Sequence, residues 1–216
     1  MNPLSYLRRF ASKRRDSTRR PEIEAFEAVV AELKPGDVAI DCGANVGKFT
    51  ELMARSGATV YAFEPNEVAF ARLLETVGAF PNVHCRQAAV TAEPGAVKLY
   101  LHKYSGDDPL HFSTGSSLVQ AKRNVLKDKF TMVEGVPFAE FIKGLGEQRI
   151  RLLKMDIEGA EVEVLNKLLD EGLHERIDQA FVEVHDRQIK SLAQPTRQLR
   201  ERLKALNAHQ FRLDWR

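Results

Sequence analysis

A glycine-rich turn between an apolar run and a predicted helix is the first place where this sequence could do chemistry. Asp41, Gly43 and Gly47 follow the apolar residues 38–40. In this setting Gly43 allows a tight turn, Gly47 allows the helix to approach the strand, and the amides at the helix start face a ligand. Asn45 stands in the middle of the turn, so the pattern departs from the Gly-x-Gly-x-x-Gly of dinucleotide-binding proteins. The turn predicts a site for a nucleotide-type ligand.

An acidic residue at the end of the next predicted strand supports this interpretation. Glu64 lies 23 residues after Asp41, at a place where a carboxylate can accept hydrogen bonds from both hydroxyls of a ribose. The structural alternative is an acid that caps the helix beginning near Asn66. Because Glu64 occurs together with the glycine-rich turn, we predict that it binds the ribose.

Two side chains at later strand ends are candidates for catalysis. His185 ends the predicted strand 180–185, and an imidazole titrates near neutral pH, so we predict that it is the general base. Asp156 ends the predicted strand 150–156 and is expected near the glycine-rich turn. The structural alternatives are a hydrogen-bonded histidine at a strand end and an aspartate that caps the next helix.

Four further residues are candidate substrate contacts. Glu158 and Glu161 fall in the first turn of a predicted helix, where the helix dipole also stabilises negative charge without any catalytic role. Ser116 and Ser117 belong to a polar stretch that either packs over the substrate or forms a flexible linker.

A divalent metal site is an alternative that the sequence leaves open. Asp156, Glu183, His185 and Asp186 could converge on one ion, and mixed carboxylate and imidazole ligands suit such a site. In some enzymes an ion of this kind acidifies an acceptor hydroxyl. Nothing in the spacing requires it, so we predict no metal and keep Asp156, Glu183 and His185 as the alternative set.

Alternating strands and helices must position these residues. The apolar patterns predict helices over 21–33, 46–56, 66–77, 138–143, 158–169 and 195–206. They predict strands over 38–41, 59–63, 83–89, 150–156, 180–185 and 211–215. An extra antiparallel strand is expected over 97–102, followed by a long loop over 103–129. The order indicates an α/β fold with a mostly parallel central sheet flanked by helices.

The composition indicates a globular chain with one basic end. Hydrophobic residues make up 44% and charged residues 29% of the 216 residues, which is ordinary for a folded domain. We predict a single domain over 21–216, located in the cytoplasm, because no run is long enough to span a membrane and no signal peptide precedes it. The two cysteines, Cys42 and Cys85, have neither metal-ligand spacing nor a disulfide framework.

The first 20 residues form a basic arm. They contain seven bases and one acid, so the arm carries +6 and the rest of the chain carries −4. Such an arm could contact nucleic acid, an anionic lipid surface or a phosphorylated substrate. A solvated, mobile terminus is the other interpretation.

Three segments together resemble the FkbM family of methyltransferases: the turn over 41–47, the turn over 62–65 and the stretch over 153–161. The likeness extends over roughly residues 37–185 and includes the loop 113–118 and the closing segment 182–185. It implies a class I methyltransferase fold, which is Rossmann-like, and S-adenosylmethionine as methyl donor. The cofactor-binding residues would be Asp41, Gly43, Ala44, Asn45, Gly47, Glu64 and Ala88.

Two places depart from the family pattern. Residues 136–141 stand where a Leu-Asp pair is common in the family. The chain also stops soon after Trp215, so the terminal antiparallel strand pair of the fold is expected to be incomplete.

The resemblance implies methylation of a hydroxyl on a glycan, a polyketide or another small metabolite. One rival hypothesis is a nucleic-acid methyltransferase that uses the basic arm, although no Asn-Pro-Pro-Tyr-like element follows Met155 to hold a flipped base. Another is a scaffold that binds the cofactor without catalysis. We predict the O-methyltransferase, with a small-molecule or glycan acceptor as partner rather than nucleic acid, and keep the two rivals as alternatives.

Overall fold

The structure is a computed structural model, which describes residues 20–102, 116–119, 122 and 125–215. Apart from Arg20, the predicted basic arm lies outside the described residues, and so does the part of the predicted loop over 103–115. Within the described ranges, no helix is long and apolar enough to cross a membrane.

Six α-helices and nine β-strands are described. The helices are α1 (Pro21–Glu32), α2 (Lys48–Ala54), α3 (Glu67–Val77), α4 (Phe138–Gly144), α5 (Glu161–Asp170) and α6 (Ala193–Ala205). The strands are β1 (Val38–Cys42), β2 (Thr59–Phe63), β3 (Val83–Arg86), β4 (Ala89–Thr91), β5 (Gly95–His102), β6 (Val125–Pro137), β7 (Ile150–Met155), β8 (Ala180–Val182) and β9 (Phe211–Arg212). Short 3₁₀ turns cover Leu173–Arg176 and Lys190–Leu192.

The central sheet has six strands in the order β3-β2-β1-β7-β8-β9, and each neighbouring pair is parallel. The strand order reverses beside β1, which is where ligands bind in sheets of this type. Cys42 is level with Phe63 on β2 and with Met155 on β7. The residues that follow these three strands therefore meet at one edge of the sheet, and the predicted mostly parallel α/β fold is confirmed.

Side chains of β1 alternate between two cores because successive residues of a strand point to opposite faces. Ile40 packs on one face with residues of α4, α5 and α6, including Ile142 and Leu165. Ala39 packs on the other face with residues of α1 and α2, including Phe26 and Met53. Helices thus cover both faces, which explains why all five residues of β1 are buried.

The second sheet differs from the sequence-based prediction. The predicted strand 83–89 is divided, since β3 belongs to the central sheet while β4 pairs with β6 in a three-stranded sheet of order β4-β6-β5. The extra strand β5 is antiparallel to β6, as predicted. No strand was predicted for β6, part of which falls in the expected loop. Phe130 and Met132 of this strand are exposed, so its burial does not follow its apolar residues as it does in a half-buried strand.

The last two strands are shorter than predicted. β8 ends at Val182, so His185 lies in the connection that follows it and not on a strand. β9 covers only Phe211–Arg212 and pairs with β8 in parallel. Trp215 lies beyond this strand and packs its ring against Phe26 and Phe181.

Candidate functional site

A cavity of about 240 Å³ opens at the carboxyl ends of β1, β2 and β7. Its wall joins the glycine-rich turn to the end of β2, to the segment after β7 and to the described part of the loop after β5. The lining residues that the sequence predicted are Gly43, Ala44, Asn45, Glu64, Ala88, Ser116, Ser117, Asp156 and Glu158. Four predicted residues are absent from the lining: Asp41, Gly47, Glu161 and His185.

Both glycines of the turn have left-handed backbones, but they serve different contacts. Gly43 has a φ of +80°, and a Cβ added to it would lie 1.8 Å from the carbonyl oxygen of Asp156. Gly47 has a φ of +87°, and its added Cβ would lie 2.8 Å from Leu73 on α3. The close approach at Gly47 is therefore to α3, which corrects the prediction that it brings the following helix to the strand.

Asp41 lies below the turn and is fully buried. Its Oδ2 accepts a hydrogen bond from Thr50 Oγ1 at 2.7 Å, and its Oδ1 lies 3.2 Å from Lys154 Nζ. Asp41 is not part of the cavity lining, because its two oxygens face Thr50 and Lys154, so the prediction that it contacts the ligand is corrected. Asp41 instead positions Lys154, which does line the cavity.

Lys154 is a site residue that the sequence reasoning missed. Its side chain is buried in β7, and Nζ donates a 2.6 Å hydrogen bond to the carbonyl oxygen of Gly43. Burial lowers the pKa of Lys154, but the carboxylates of Asp41 and Asp156 outweigh burial and leave this pKa above 10.5. The sequence feature that could have revealed Lys154 is a lysine within a mostly apolar predicted strand. A lysine buried there needs a nearby carboxylate.

Glu64 occupies the end of β2 and is 6% exposed. Its Oε2 accepts the backbone amide of Asn45 at 2.9 Å, and its Oε1 accepts the backbone amide of Asn66 at 2.8 Å. The side chain of Asn66 caps α3 by accepting from the amides of Val68 and Ala69. Asn66 therefore caps α3, which is the role that the structural alternative gave to Glu64.

Opposing effects act on the pKa of Glu64. Burial raises the pKa of Glu64 to about 7, although the amides of Asn66 and Asn45 and the positive charge of Lys154 oppose this rise. Each carboxylate oxygen accepts one amide, which leaves one lone pair on each oxygen for a ligand.

His185 is 3% exposed and lies between two glutamates. Its Nδ1 is 2.9 Å from Glu161 Oε1, and its Nε2 is 2.9 Å from Glu158 Oε2. Burial alone would lower the pKa of His185, but the two hydrogen bonds raise it to about 11. The geometry corrects the prediction of a general base, because a histidine held between two carboxylates stays protonated at neutral pH.

Of the two glutamates predicted as substrate contacts, only one lines the cavity. Glu161 is fully buried, and its oxygens accept the amides of Ile157 and Gly159 as well as facing His185. Glu161 therefore does not reach the cavity, and its prediction as a substrate contact is corrected. Glu158 does line the cavity, and it pairs with Lys122, a buried lysine that the sequence reasoning also missed.

Asp156 and Ser116 bring buried polar atoms to the cavity wall. Asp156 Oδ1 and Ser116 Oγ are buried, and neither has a hydrogen-bond partner among the described residues. Burial raises the pKa of Asp156 to about 7, with Lys154 opposing this rise. Helix α5 begins at Glu161 after Ala160, so Asp156 is not its cap. Ser117 lines the cavity as well and donates from Oγ to the carbonyl oxygen of Glu158.

The group of possible metal ligands in the structure differs by one residue from the alternative set that the sequence left open. Asp156, Glu161 and His185 each offer one ligand atom, and within the described part of the chain these atoms lie within 4.8 Å of one another. Glu183 was expected in this group, but it is the buried Glu161 that lies against the imidazole.

Comparison with known proteins identifies the family. Residues 41–213 match the model described as the methyltransferase FkbM domain. The chain belongs to the FkbM family of methyltransferases. The matched FkbM domain begins within β1 and ends just after β9, so it includes the glycine-rich turn, Glu64 and the acidic residues after β7. The resemblance inferred from the sequence is confirmed, and with it the class I methyltransferase fold.

Three relatives cover most of the FkbM domain of this chain. The 31-O-demethyl-FK506 methyltransferase FkbM of Streptomyces tacrolimicus is 32% identical and the match covers 72% of this chain and 68% of that protein. The 2-O-methyltransferase NoeI of Sinorhizobium fredii is 27% identical, with shares of 74% and 68%. The hexuronic acid methyltransferase AglP of Haloferax volcanii is 25% identical, with shares of 77% and 63%.

Proposed function

We propose that this protein is an S-adenosylmethionine-dependent O-methyltransferase that acts on a hydroxyl of a glycan, a polyketide or another small metabolite. Membership of a methyltransferase family supports the reaction class, and the names of two relatives specify O-methylation. The observation that carries the proposal is that one cavity joins Glu64 and the glycine-rich turn to the carboxylates of Asp156 and Glu158.

The residues of the turn fit the proposed cofactor. Gly43 to Asn45 line the cavity on one side, and Ala88, which is buried between β3 and β4, adds a small side chain to the wall. Glu64 has a free lone pair on each oxygen, which matches the two hydroxyls of a ribose. These five residues would hold S-adenosylmethionine, with its methionine end over the turn and its ribose at Glu64.

The acidic end of the cavity fits an acceptor hydroxyl. S-adenosylmethionine supplies a methyl group on a positively charged sulfur, which leaves as a neutral thioether when the acceptor oxygen takes the methyl. Asp156, whose pKa is about 7, can accept the hydrogen bond of that hydroxyl and take its proton as the oxygen receives the methyl group, and Glu158 can help to align the oxygen. Ser116 Oγ, which is buried without a partner among the described residues, is placed to contact the acceptor too.

Methyl transfer is tested directly with labelled cofactor. The full chain is incubated with S-adenosylmethionine carrying a ¹³C methyl group and with separate panels of glycans, hydroxylated polyketides and RNA. We expect the label on an oxygen of a glycan or small metabolite, detected by mass spectrometry and NMR. Label on RNA would contradict the proposed acceptor class. Tight binding of S-adenosylhomocysteine without turnover on any panel would favour the scaffold hypothesis.

The affinity for S-adenosylhomocysteine is expected to rise about tenfold between pH 6 and pH 8. Ribose hydroxyls donate to an ionised Glu64, and since its pKa in the free protein is about 7, Glu64 is mostly protonated at pH 6 and mostly charged at pH 8. Falling pH therefore weakens binding. Isothermal titration calorimetry across this range measures the dependence.

Glu64→Gln is the decisive variant for this pH dependence. It has no carboxylate to titrate, and its amide NH₂ group must face the amide of Asn45 or Asn66 in place of an acceptor oxygen. We expect weaker binding at pH 8 and a flat profile. Glu67→Gln is the matched control, because Glu67 is an exposed glutamate nearby and should leave the profile unchanged. A pH dependence that persists in Glu64→Gln would show that another group is responsible.

A further inference from the structure

The cavity wall carries side chains of both charges. Among the residues that the structure describes, its charged lining residues are Lys48, Glu64, Lys154, Asp156 and Glu158. The acids follow the ends of β2 and β7, whereas Lys48 is the first residue of α2, directly after the glycine-rich turn. The wall can therefore match a ligand that carries charges of both signs.

The charge of Lys154 is balanced within the protein. Its Nζ donates to the carbonyl oxygen of Gly43 at 2.6 Å and lies 3.2 Å from Asp41 Oδ1. Asp41 is fully buried, so it needs the positive charge of Lys154. Lys154 is therefore a poor candidate for binding an anionic group of a ligand.

The ammonium of Lys48 has no such partner. Lys48 is exposed, and within the described ranges its side chain forms neither an ion pair nor a hydrogen bond. Its recorded contact is with the ring of Phe49, whose centroid lies 5.3 Å from Nζ. Contact with a ring leaves N–H groups of the ammonium free to donate. Among the described lining residues, Lys48 is therefore the cation that can bind an anionic group.

The ring of Phe49 places this ammonium beside the cavity. Phe49 lines the cavity, and its ring packs edge-on against Phe26 and Trp215. Lys154 Nζ lies 5.8 Å from the centroid of the same ring, so both ammonium groups are near one part of the wall. Because Lys154 also donates to the carbonyl oxygen of Gly43, this part of the wall adjoins the glycine-rich turn.

We propose that Lys48 binds the α-carboxylate of S-adenosylmethionine, an inference that rests on the proposed function. In that function the methionine end of the cofactor lies over the glycine-rich turn. This end carries an ammonium group and a carboxylate beside the positively charged sulfur. The acids of the wall suit the two positive groups, whereas the carboxylate needs a cation, and charged partners form the stronger hydrogen bonds. Lys48 supplies that cation at the end of the turn.

The contact holds the part of the cofactor that carries the reactive sulfur. Glu64 binds the ribose on one side of the sulfur, and Lys48 binds the carboxylate on the other. Fixing both sides limits the positions that the methyl group can take relative to an acceptor oxygen. Lys48 therefore orients the methyl donor without contacting the acceptor.

Two cofactors that differ only in the α-carboxylate test this contact. Isothermal titration calorimetry gives the affinity of the full chain for S-adenosylmethionine and for decarboxylated S-adenosylmethionine. We expect Lys48→Met to lower the affinity for S-adenosylmethionine about 5- to 10-fold, which lies between an exposed ion pair and a charged hydrogen bond. The same variant should not lower the affinity for the decarboxylated cofactor. Lys48→Arg keeps the positive charge and should retain most of the affinity for S-adenosylmethionine.

Lys34→Met is the matched control. Lys34 is an exposed lysine that precedes β1, so it lies at the opposite end of this strand from the turn and outside the cavity lining. Its replacement removes the same charge and should leave both affinities unchanged. Circular dichroism checks the folding of each variant.

The outcomes separate this inference from the proposed function. If Lys48→Met bound S-adenosylmethionine as tightly as the parent, or lost affinity equally for both cofactors, the role of Lys48 would be refuted while the cofactor assignment remained intact. If the parent bound neither cofactor, the proposed function would fail and the inference with it.

Discussion

Gly43→Ala is expected to abolish measurable binding of S-adenosylhomocysteine and to destabilise the fold by about 3 kcal/mol or more. The added Cβ would lie 1.8 Å from the carbonyl oxygen and 2.9 Å from the carbonyl carbon of Asp156. Both atoms belong to the backbone, so no side-chain rotation can relieve the clash. The end of β1 must therefore move away from the end of β7, and this movement displaces Asn45, which donates its amide to Glu64.

Alanine substitutions at two other glycines distinguish the steric clash at Gly43 from its left-handed backbone strain. Gly36 has a φ of +95° but nothing within 4 Å of an added Cβ, so Gly36→Ala should cost only the left-handed strain of about 1–2 kcal/mol. Gly144 ends α4 with neither feature, and Gly144→Ala should be neutral or slightly stabilising. Urea unfolding and calorimetry measure both quantities. If Gly43→Ala behaved like Gly36→Ala, the close approach of the two strand ends would not control the site.

Lys154→Met is expected to destabilise the protein by about 3–5 kcal/mol, because it leaves a buried carboxylate without its cation. Asp41 is fully buried, and its other partner is the hydroxyl of Thr50. Methionine keeps most of the side-chain length and removes both the charge and the hydrogen bond to Gly43. Urea unfolding gives the loss of stability.

A double-mutant cycle tests whether the loss comes from the pair. Asp41→Asn combined with Lys154→Met removes both charges, so the double variant should be more stable than Lys154→Met alone. Lys167→Met is the matched control. Lys167 also pairs with glutamates, Glu93 and Glu171, but at the protein surface, where such pairs contribute little. Equal effects of Lys154→Met and Lys167→Met would show that burial of the pair is unimportant.

Much of the fold followed from local patterns in the sequence. Apolar runs located β1, β2 and β7, and the residues after them, Gly43, Glu64 and Asp156, meet because parallel strands end at one edge. β6 could not be found this way, because its residues 128–132 are all exposed and no face of the strand is buried there. The cofactor and the acceptor are not tested by the structure and stay predictions.

The roles of individual side chains were harder to predict than their positions. His185 has the right residue type for a general base, but Glu161, 24 residues earlier, reaches its ring and changes its protonation. Lys154 and Asp41 are far apart in the chain, and only the pairing of β1 with β7 shows that they meet. Such contacts depend on tertiary structure, which local patterns do not encode.

The cavity has two walls, and each is supplied by a different sheet. Val90 and Leu99 line the cavity from β4 and β5, and Ser117 is joined to Tyr100 of β5 by backbone hydrogen bonds. Glu64 and the glycine-rich turn belong to the parallel sheet instead. Substitutions at Val90 or Leu99 can therefore change the shape of one cavity wall while the ends of β1, β2 and β7, which carry the turn and Glu64, stay in register.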